Sequence, residues 1–211
     1  MRTTGAAVGF YWTLPVRWAG FTKLPKDVNE AAELSRTIRY QRDTTRRYAQ
    51  DHRLKLIHEE VFLEIEPDRG TRHVRSALRK VEKICQANQA MLLFVDFSEV
   101  QGWRSHGPMR DWARRTRIEI QAIYPDRTMI DGKSFDPHAH FSEWRDKQSE
   151  WVAGKADRAN TSYAEASRLR AEGMSYAAIA NRLNAGDAPT PTGRPWTGDN
   201  LRKFMASMSR A

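Results

Sequence analysis

Apolar positions in the first 126 residues follow two alternating periods. Strands are predicted where apolar residues alternate with polar ones or run together, and helices where apolar residues recur three and four positions apart. In chain order, the predicted elements are a strand at 7–14, a helix at 29–51, a strand at 54–65, a helix at 74–88, a strand at 91–97, a helix at 108–116 and a strand at 118–123. This order predicts an α/β fold with a mostly parallel sheet and right-handed crossovers.

Composition changes after the last of these strands. The stretch 125–137 is polar and rich in turn-forming residues, which is typical of a domain boundary. A charged helix is predicted at 138–157, with a narrow stripe of larger side chains at near-heptad spacing: Phe141, Trp144, Gln148 and Trp151. Three short helices follow, at 162–171, 176–184 and 198–207, the last with Thr197 as its N-cap. We therefore expect domains at 1–127 and 159–211, joined by a linker and long helix at 128–158.

The charge of the chain favours a polyanionic partner. The net charge is +9 and the isoelectric point about 9.9, a balance common in nucleic-acid-binding proteins. Residues 1–127 carry +7 and residues 128–211 carry +2. Part of the excess lies along one face of the predicted helix at 29–51, on Arg36, Arg39, Arg42, Arg46 and Arg47. Two interpretations are open for this face: a solvated surface, or a contact with phosphates or with a second copy of the chain.

Several classes of protein are disfavoured by the composition. The single cysteine, Cys85, cannot form an internal disulfide or a thiolate metal cluster. His138 and His140 alone are weak evidence for a metal site, and we expect neither a metal nor a cofactor. No apolar run reaches the roughly 18 residues of a membrane helix, and no signal peptide is evident at the start. The expected location is the cytoplasm.

A motif in the tail carries a resemblance to a known family. Residues 173–184 read GMSYAAIANRLN, a turn and GRPWT follow, and a last amphipathic helix begins at Gly198. This pattern, S..AIA..LN..G..TP.G..WT...L, resembles the C-terminal DNA-binding part of the serine recombinase (resolvase/invertase) family. The resemblance implies a helix-turn-helix, whose second helix reads base edges in the major groove of DNA.

The first domain resembles the catalytic domain of that family in element order and size. Residues 8–12 resemble its first strand, and 92–97 resemble its third strand. Gln41, together with Tyr48-Ala49 and Leu56-Ile57, resembles the helix and strand that follow the first strand. Residues 69–71 and 75–78 resemble its SG…RP.L region. The family's catalytic groups are nevertheless missing. The position of the nucleophilic serine holds Pro15, and that of the neighbouring arginine holds Thr13. After the third strand, Glu99 stands where a clamp arginine is expected, and the next arginine is Arg104.

Loss of the nucleophile and most of the arginines predicts a catalytically inactive member of the fold, because proline has no hydroxyl to attack phosphate. Arg75 alone matches the arginine set. The resemblance implies sequence-specific binding of double-stranded DNA by a homodimer in a bacterial nucleoid. Such a protein would regulate transcription of a mobile element or phage, or accompany an active recombinase. The DNA contacts are expected from the last two helices and the turn between them: Ser175, Tyr176, Arg194, Thr197, Asp199, Asn200, Arg202 and Lys203.

Three alternatives remain at this point. In the first, the protein is an active site-specific recombinase with substituted catalytic groups. In the second, it is a module that binds other proteins. In the third, the tail is a plain three-helix bundle docked on the first domain. The stripe on the long helix is likewise open, since its tryptophans are buried either against a partner chain or in the core of the monomer.

Overall fold

The structure is a computed structural model that describes residues 5–66, 70–98, 100, 106–186, 188 and 190–210. Six strands are present: β1 (Ala6–Thr13), β2 (Lys55–Leu63), β3 (Met91–Val95), β4 (Ile120–Ile123), β5 (Thr128–Ile130) and β6 (Lys133–Phe135). The helices of the first half are α1 (Val28–Leu34), α2 (Arg36–Asp51), α3 (Val74–Asn88) and α4 (Gly107–Ala113). Those of the second half are α5 (Pro137–Ala153), α6 (Lys155–Ala171), α7 (Tyr176–Ala185) and α8 (Gly198–Met208).

Four strands form one parallel sheet in the order β2-β1-β3-β4, which confirms the prediction of an α/β fold with a parallel sheet. β1 pairs with β2 along its whole length, with one irregularity between Ala7 and Val8. Its pairing with β3 covers only Ala7–Gly9. The two strands therefore diverge toward their carboxyl ends, at the point where the strand order reverses, and this is where open α/β sheets usually bind ligands.

Neighbouring residues of β1 point to opposite faces of the sheet, as the pleat requires. On one face, Tyr11 packs with Ala31 and Ile38 from α1 and α2. On the other, Phe10 shares an apolar cavity with Leu78 of α3 and Trp112 of α4. Helices on both faces bury the central strand, and Phe10 and Tyr11 are inaccessible to solvent.

The prediction of one long helix at 29–51 is wrong in one respect, because the helix is interrupted at Ser35 and forms α1 and α2. Ser35 has an extended backbone, and its hydroxyl accepts a hydrogen bond from the backbone N–H of Ile38 at 3.3 Å. A serine that caps a helix in this way competes with continuation of the preceding one. The break leaves Leu34, at the end of α1, 62% exposed.

Residues 125–137, expected to be a polar loop, instead contain a hairpin of β5 and β6. Its turn is Asp131-Gly132, where both residues have positive φ, the conformation that two-residue hairpin turns need and that an Asp-Gly pair favours. The hairpin contributes Ile130 and Phe135 to an apolar cluster that also contains Tyr40, Phe97 and Phe141.

The chain divides into two compact units. The first comprises the chain up to Val16 and Phe21–Glu143, and the second comprises Arg17–Gly20 and the chain from Trp144 onward. The helix predicted at 138–157 ends at Ala153 in the structure, and α6 begins at Lys155 and already includes the predicted helix at 162–171. Gly154 separates the two helices, in keeping with the low helix propensity of glycine.

The second unit has a core of its own, built from α6, α7 and α8. Leu169, Ile179, Leu183, Trp196 and Leu201 are buried together. The helices predicted at 176–184 and 198–207, and the capping role of Thr197, are confirmed. None of the helices in the described part of the chain has the length and apolar content that crossing a bilayer requires.

Candidate nucleic-acid interface

The start of α7 is fixed by its own side chains. The Ser175 hydroxyl accepts a hydrogen bond from the backbone N–H of Ala178 at 3.2 Å and so caps the helix. Tyr176, the next residue, is half-buried, and the guanidinium of Arg170 lies 4.5 Å from the centre of its ring. Both predicted contact residues therefore hold α7 in place, and Ser175 is the more exposed of the two.

The start of α8 is fixed by a reciprocal pair of hydrogen bonds. Thr197 Oγ1 accepts from the backbone N–H of Asn200 at 3.2 Å, and Asn200 Oδ1 accepts from the backbone N–H of Thr197 at 2.8 Å. The Asn200 Nδ2 group also donates to the Pro195 carbonyl at 3.1 Å. Asn200 was predicted to meet DNA, but both ends of its amide are used within the turn. We therefore assign it to the capping box.

One face of α8 carries an uneven set of charges. Asp199, Arg202 and Lys203 are 62%, 62% and 69% exposed at their side chains. The Asp199 carboxylate lies 2.8 Å from Lys203 Nζ and 3.2 Å from Arg202 Nη2. Hydrogen bonds from Lys203 and then Arg202 lower the pKa of Asp199. One carboxylate thus offsets two cations, and the face keeps a net positive charge.

The segment between α7 and α8 holds the two helices in a defined relation. The Asn184 side chain accepts from the Trp196 backbone N–H at 2.8 Å and donates to the Trp196 carbonyl at 2.9 Å. A Cβ added at Gly198 would lie 3.3 Å from the backbone nitrogen of Ala177, so α8 begins close against the start of α7. Arg194, in this segment, is exposed, and its backbone N–H donates to Thr190 Oγ1 at 2.9 Å.

The arginines of α2 mostly contact neighbours within the first unit. Three of them form ion pairs: Arg39 with Asp131, Arg42 with Asp43 at 2.8 Å and Arg46 with Glu59 at 2.7 Å. Arg47 donates a hydrogen bond to Thr128 Oγ1 at 3.2 Å. The Arg36 guanidinium lies 5.4 Å from the centre of the Phe135 ring. Three of the five charges are therefore offset by carboxylates. Among the described residues, Arg36 and Arg47 have no such partner, and both are exposed.

The four side chains of the predicted stripe on α5 differ in burial and in the residues that they contact. Phe141 is buried, and its ring centre lies 5.0 Å from that of Phe97 in the first unit. Gln148 is buried, whereas Trp144 and Trp151 are half-buried. The Arg158 guanidinium lies 3.4 Å from the centre of the Trp151 ring. Phe141 thus belongs to the core of the monomer.

The carboxyl end of β1 is where the resemblance places the missing nucleophile. Pro15 is buried two residues beyond the strand, and Thr13 is buried at its last position. Arg75 is exposed in the first turn of α3. Glu99 and Arg104, at the positions of the clamp arginines, lie outside the described residues.

Gln41, a residue that carries part of the resemblance, closes the gap between the diverging strands. Its Oε1 accepts from the backbone N–H of Trp12 at 3.1 Å, and its Nε2 donates to the Trp12 carbonyl at 2.8 Å and to the Thr37 carbonyl at 3.1 Å. Gln41 is fully buried. At Trp12, Gln41 therefore takes the place of the backbone hydrogen bonds that β3 makes with β1 only at Ala7–Gly9.

A buried hydrogen-bonded pair at the same sheet edge, Glu64 and His106, was missed by sequence reasoning. Glu64 follows β2 and accepts from His106 Nε2 at 2.7 Å, from the Thr71 N–H at 2.9 Å and from the Thr71 hydroxyl at 2.7 Å. Burial raises the pKa of Glu64, but the hydrogen bonds from His106 and Thr71 outweigh it, so the pKa is lowered. The available signal was an acidic residue directly after a strand that ends at the sheet edge.

His106 has both ring nitrogens engaged. Its Nδ1 faces the backbone N–H of Met109 at 3.3 Å and caps α4, while Nε2 faces Glu64. These two hydrogen bonds hold the start of α4 against the end of β2. Within the described ranges, no three His, Cys, Asp or Glu side chains are grouped so as to hold a metal ion.

Comparisons with known proteins add no further evidence. No family model, curated protein or solved structure matches this chain.

Proposed function

We propose that this protein binds double-stranded DNA sequence-specifically through its second unit and does not cleave it. The observation that carries the proposal is the pair α7–α8. The two helices begin against each other, the start of each is capped, and α8 displays Arg202 and Lys203 to solvent. A rigid helix that presents cations beside a second helix is the arrangement with which helix-turn-helix proteins enter the major groove.

The DNA-contacting set is narrower than the sequence indicated. Asn200 and Thr197 cap α8, so the base and phosphate contacts fall mainly to Arg202 and Lys203, with Ser175 and Tyr176 at the start of α7. Asp199 lies between the two cations and moderates their charge. This composition suits selective binding, because phosphate attraction alone does not discriminate between sequences.

The absence of cleavage is supported by the chemistry of the β1 edge. If the resolvase-like resemblance holds, Pro15 occupies the position of the nucleophile and offers no hydroxyl. Gln41, Glu64 and His106, which surround this edge, are committed to hydrogen bonds within the fold. The parallel sheet would then act as a scaffold and a subunit-contact domain.

The biological role that fits such a protein is regulation of transcription on a mobile element or phage, or service as an accessory subunit beside an active recombinase. Both roles require a homodimer on a two-fold site, the usual arrangement for helix-turn-helix binding. Phe141 is buried in the first unit, so the dimer contact on α5 would use its exposed side chains, of which Val152 is the largest apolar one.

Selection from a random duplex DNA library tests the proposal. The full chain should enrich a short motif, two-fold symmetric if the dimer forms, and bind it at least about a thousandfold more tightly than scrambled duplex at physiological salt. The bound complex, denatured and run on a gel, should show free DNA of full length. Absence of any preferred sequence would refute DNA recognition, and a covalent protein–DNA adduct would show that the protein is an active recombinase.

A further inference from the structure

A groove lies in the second unit between the start of α6, the turn at 190–196 and one side of α8. Its volume is about 450 Å³, within the range of about 300–1,000 Å³ in which proteins bind small groups and side chains. Most of its lining is apolar, from Pro191, Trp196, Phe204 and Met208, and two cations, Lys155 and Arg194, also border it.

The floor of this groove is already in place. Trp196 is buried, its indole N–H donates to the Ala188 carbonyl at 2.8 Å, and its ring centre lies 5.0 Å from that of Phe204. The turn beside it is closed by hydrogen bonds between Thr190 and Arg194 in both directions. A bound group would therefore meet a formed surface, without the cost of ordering it.

The groove and the proposed DNA-binding face lie on different sides of α8. Asn200, Phe204 and Met208 recur every four residues and line the groove together. At 100° per residue, Arg202 projects from the side of the helix opposite these three residues, and Lys203 lies between Arg202 and Asn200. Leu201, on the remaining side of the helix, is buried in the core. The groove and Arg202 can thus be occupied at the same time.

The two cations of the groove differ from those on the DNA-binding face. Lys155 and Arg194 are exposed. In the part of the chain that the structure describes, neither forms an ion pair with a carboxylate, whereas Arg202 and Lys203 share Asp199. An apolar floor bordered by uncompensated cations is complementary to a partner that brings both apolar side chains and carboxylates.

We infer that this groove binds a segment of a partner protein in which an aliphatic or aromatic anchor stands beside one or two acidic residues. A nucleic-acid strand is the less suitable occupant, because its phosphates would satisfy the cations and leave the Phe204–Met208 surface uncovered. Methionine and aromatic side chains are adaptable anchoring surfaces for peptides. The site goes beyond the DNA binding proposed above and is separable from it.

A phage-displayed library of random short peptides, selected against the full chain, tests this inference. Enriched peptides should combine Asp or Glu with Phe, Leu, Met or Trp. Measured by fluorescence anisotropy, their affinity should fall at least about tenfold in the Lys155→Glu/Arg194→Glu double variant. It should fall equally in Ala159→Trp, which fills the groove without changing charge. The matched control, Arg202→Glu, lies on the opposite side of α8 and should leave peptide affinity within about twofold.

Three results would overturn the inference: no peptide is enriched, the enriched peptides lack acidic residues, or they bind the wild type and both groove variants equally. Circular dichroism of each variant reports whether it is folded, and Ala159→Trp supplies a second reading if charge reversal disturbs the turn. DNA affinity is measured on the same proteins. Arg202→Glu should weaken it and Ala159→Trp, which changes no charge and none of the expected DNA contacts, should not, so failure of the DNA proposal is seen separately. A loss of DNA affinity in Ala159→Trp would assign the groove to nucleic acid.

Discussion

His106 Nε2 lies 2.7 Å from a carboxylate oxygen of Glu64, and both side chains are buried. The pair joins the end of β2 to the start of α4, two elements that are 42 positions apart in the chain. Thr71 holds the same carboxylate from the segment before α3. One acidic side chain at the carboxyl edge of the sheet therefore connects the end of β2, the segment before α3 and the start of α4.

Replacement of Glu64 should lower the free energy of unfolding more than replacement of an exposed acid. Glu64→Ala leaves donors of His106 and Thr71 without their acceptor in a buried place, and each buried polar group left unsatisfied costs about 1–3 kcal/mol. The free energy of unfolding in urea, followed by tryptophan fluorescence, measures the loss. Glu33→Ala, exposed on α1, should cost about 0.5 kcal/mol or less. Similar losses for the two variants would contradict the assigned role of Glu64.

Stability should depend on pH through the same carboxylate. The pKa of Glu64 is lowered in the folded state from an ordinary value of 4.5. A carboxyl group with a depressed pKa contributes stability above its unfolded-state pKa and loses it as the pH falls toward the folded-state value. Between pH 7 and pH 3, the free energy of unfolding should thus fall more steeply for the wild type than for Glu64→Gln, which cannot titrate. Parallel curves would place the acid sensitivity elsewhere.

Gln41 should be important for stability although it carries no charge. Gln41→Ala strands the N–H and the carbonyl of Trp12 in the buried gap between β1 and β3, and each buried polar group left unsatisfied costs about 1–3 kcal/mol. We expect a loss of about 2–4 kcal/mol in urea unfolding. Gln50→Ala, exposed on the same helix, is the control and should change stability by less than about 0.5 kcal/mol.

Asp199 should weaken DNA binding in the native protein. Asp199→Asn removes the carboxylate that pairs with both Arg202 and Lys203, so the affinity for duplex DNA should rise several-fold. Lys203→Ala should lower the affinity and decrease the slope of log K against log salt by about 0.9, the share of one phosphate contact. Glu165→Gln, whose half-exposed carboxylate pairs with Arg168 on α6, serves as the charge-matched control. An equal gain from Glu165→Gln would indicate a nonspecific charge effect.

The parallel sheet and most helices were predictable because their signals are local and strong. α3 begins and ends where its apolar face predicted, and Val74, Leu78, Val81 and Cys85 are all buried. Thr197 was readable as a cap from its position before a helix. The breaks were harder to place, because Ser35 ends one helix only by capping the next, and that choice depends on the packing of α1 and α2.

The hairpin of β5 and β6 was missed for a different reason. Its strands have three residues each, too few to show a period, although Asp131-Gly132 was a visible turn signal. At the candidate sites, residue types could be read from the sequence, but their partners could not. It could not show that Asn200 caps α8, that Asp199 is shared by two cations, or that Glu64 meets His106, since each depends on tertiary distance.

The most direct test of the account is crosslinking of the protein to DNA in its host cell, with the bound fragments sequenced and their strands mapped for breaks. The Arg202→Ala/Lys203→Ala variant is the control, since it keeps the capping box of α8 and loses the two exposed cations. We expect a few sharp, unbroken sites that disappear in the variant. Sites that carry breaks or joined ends, or an equal pattern in the variant, would contradict it.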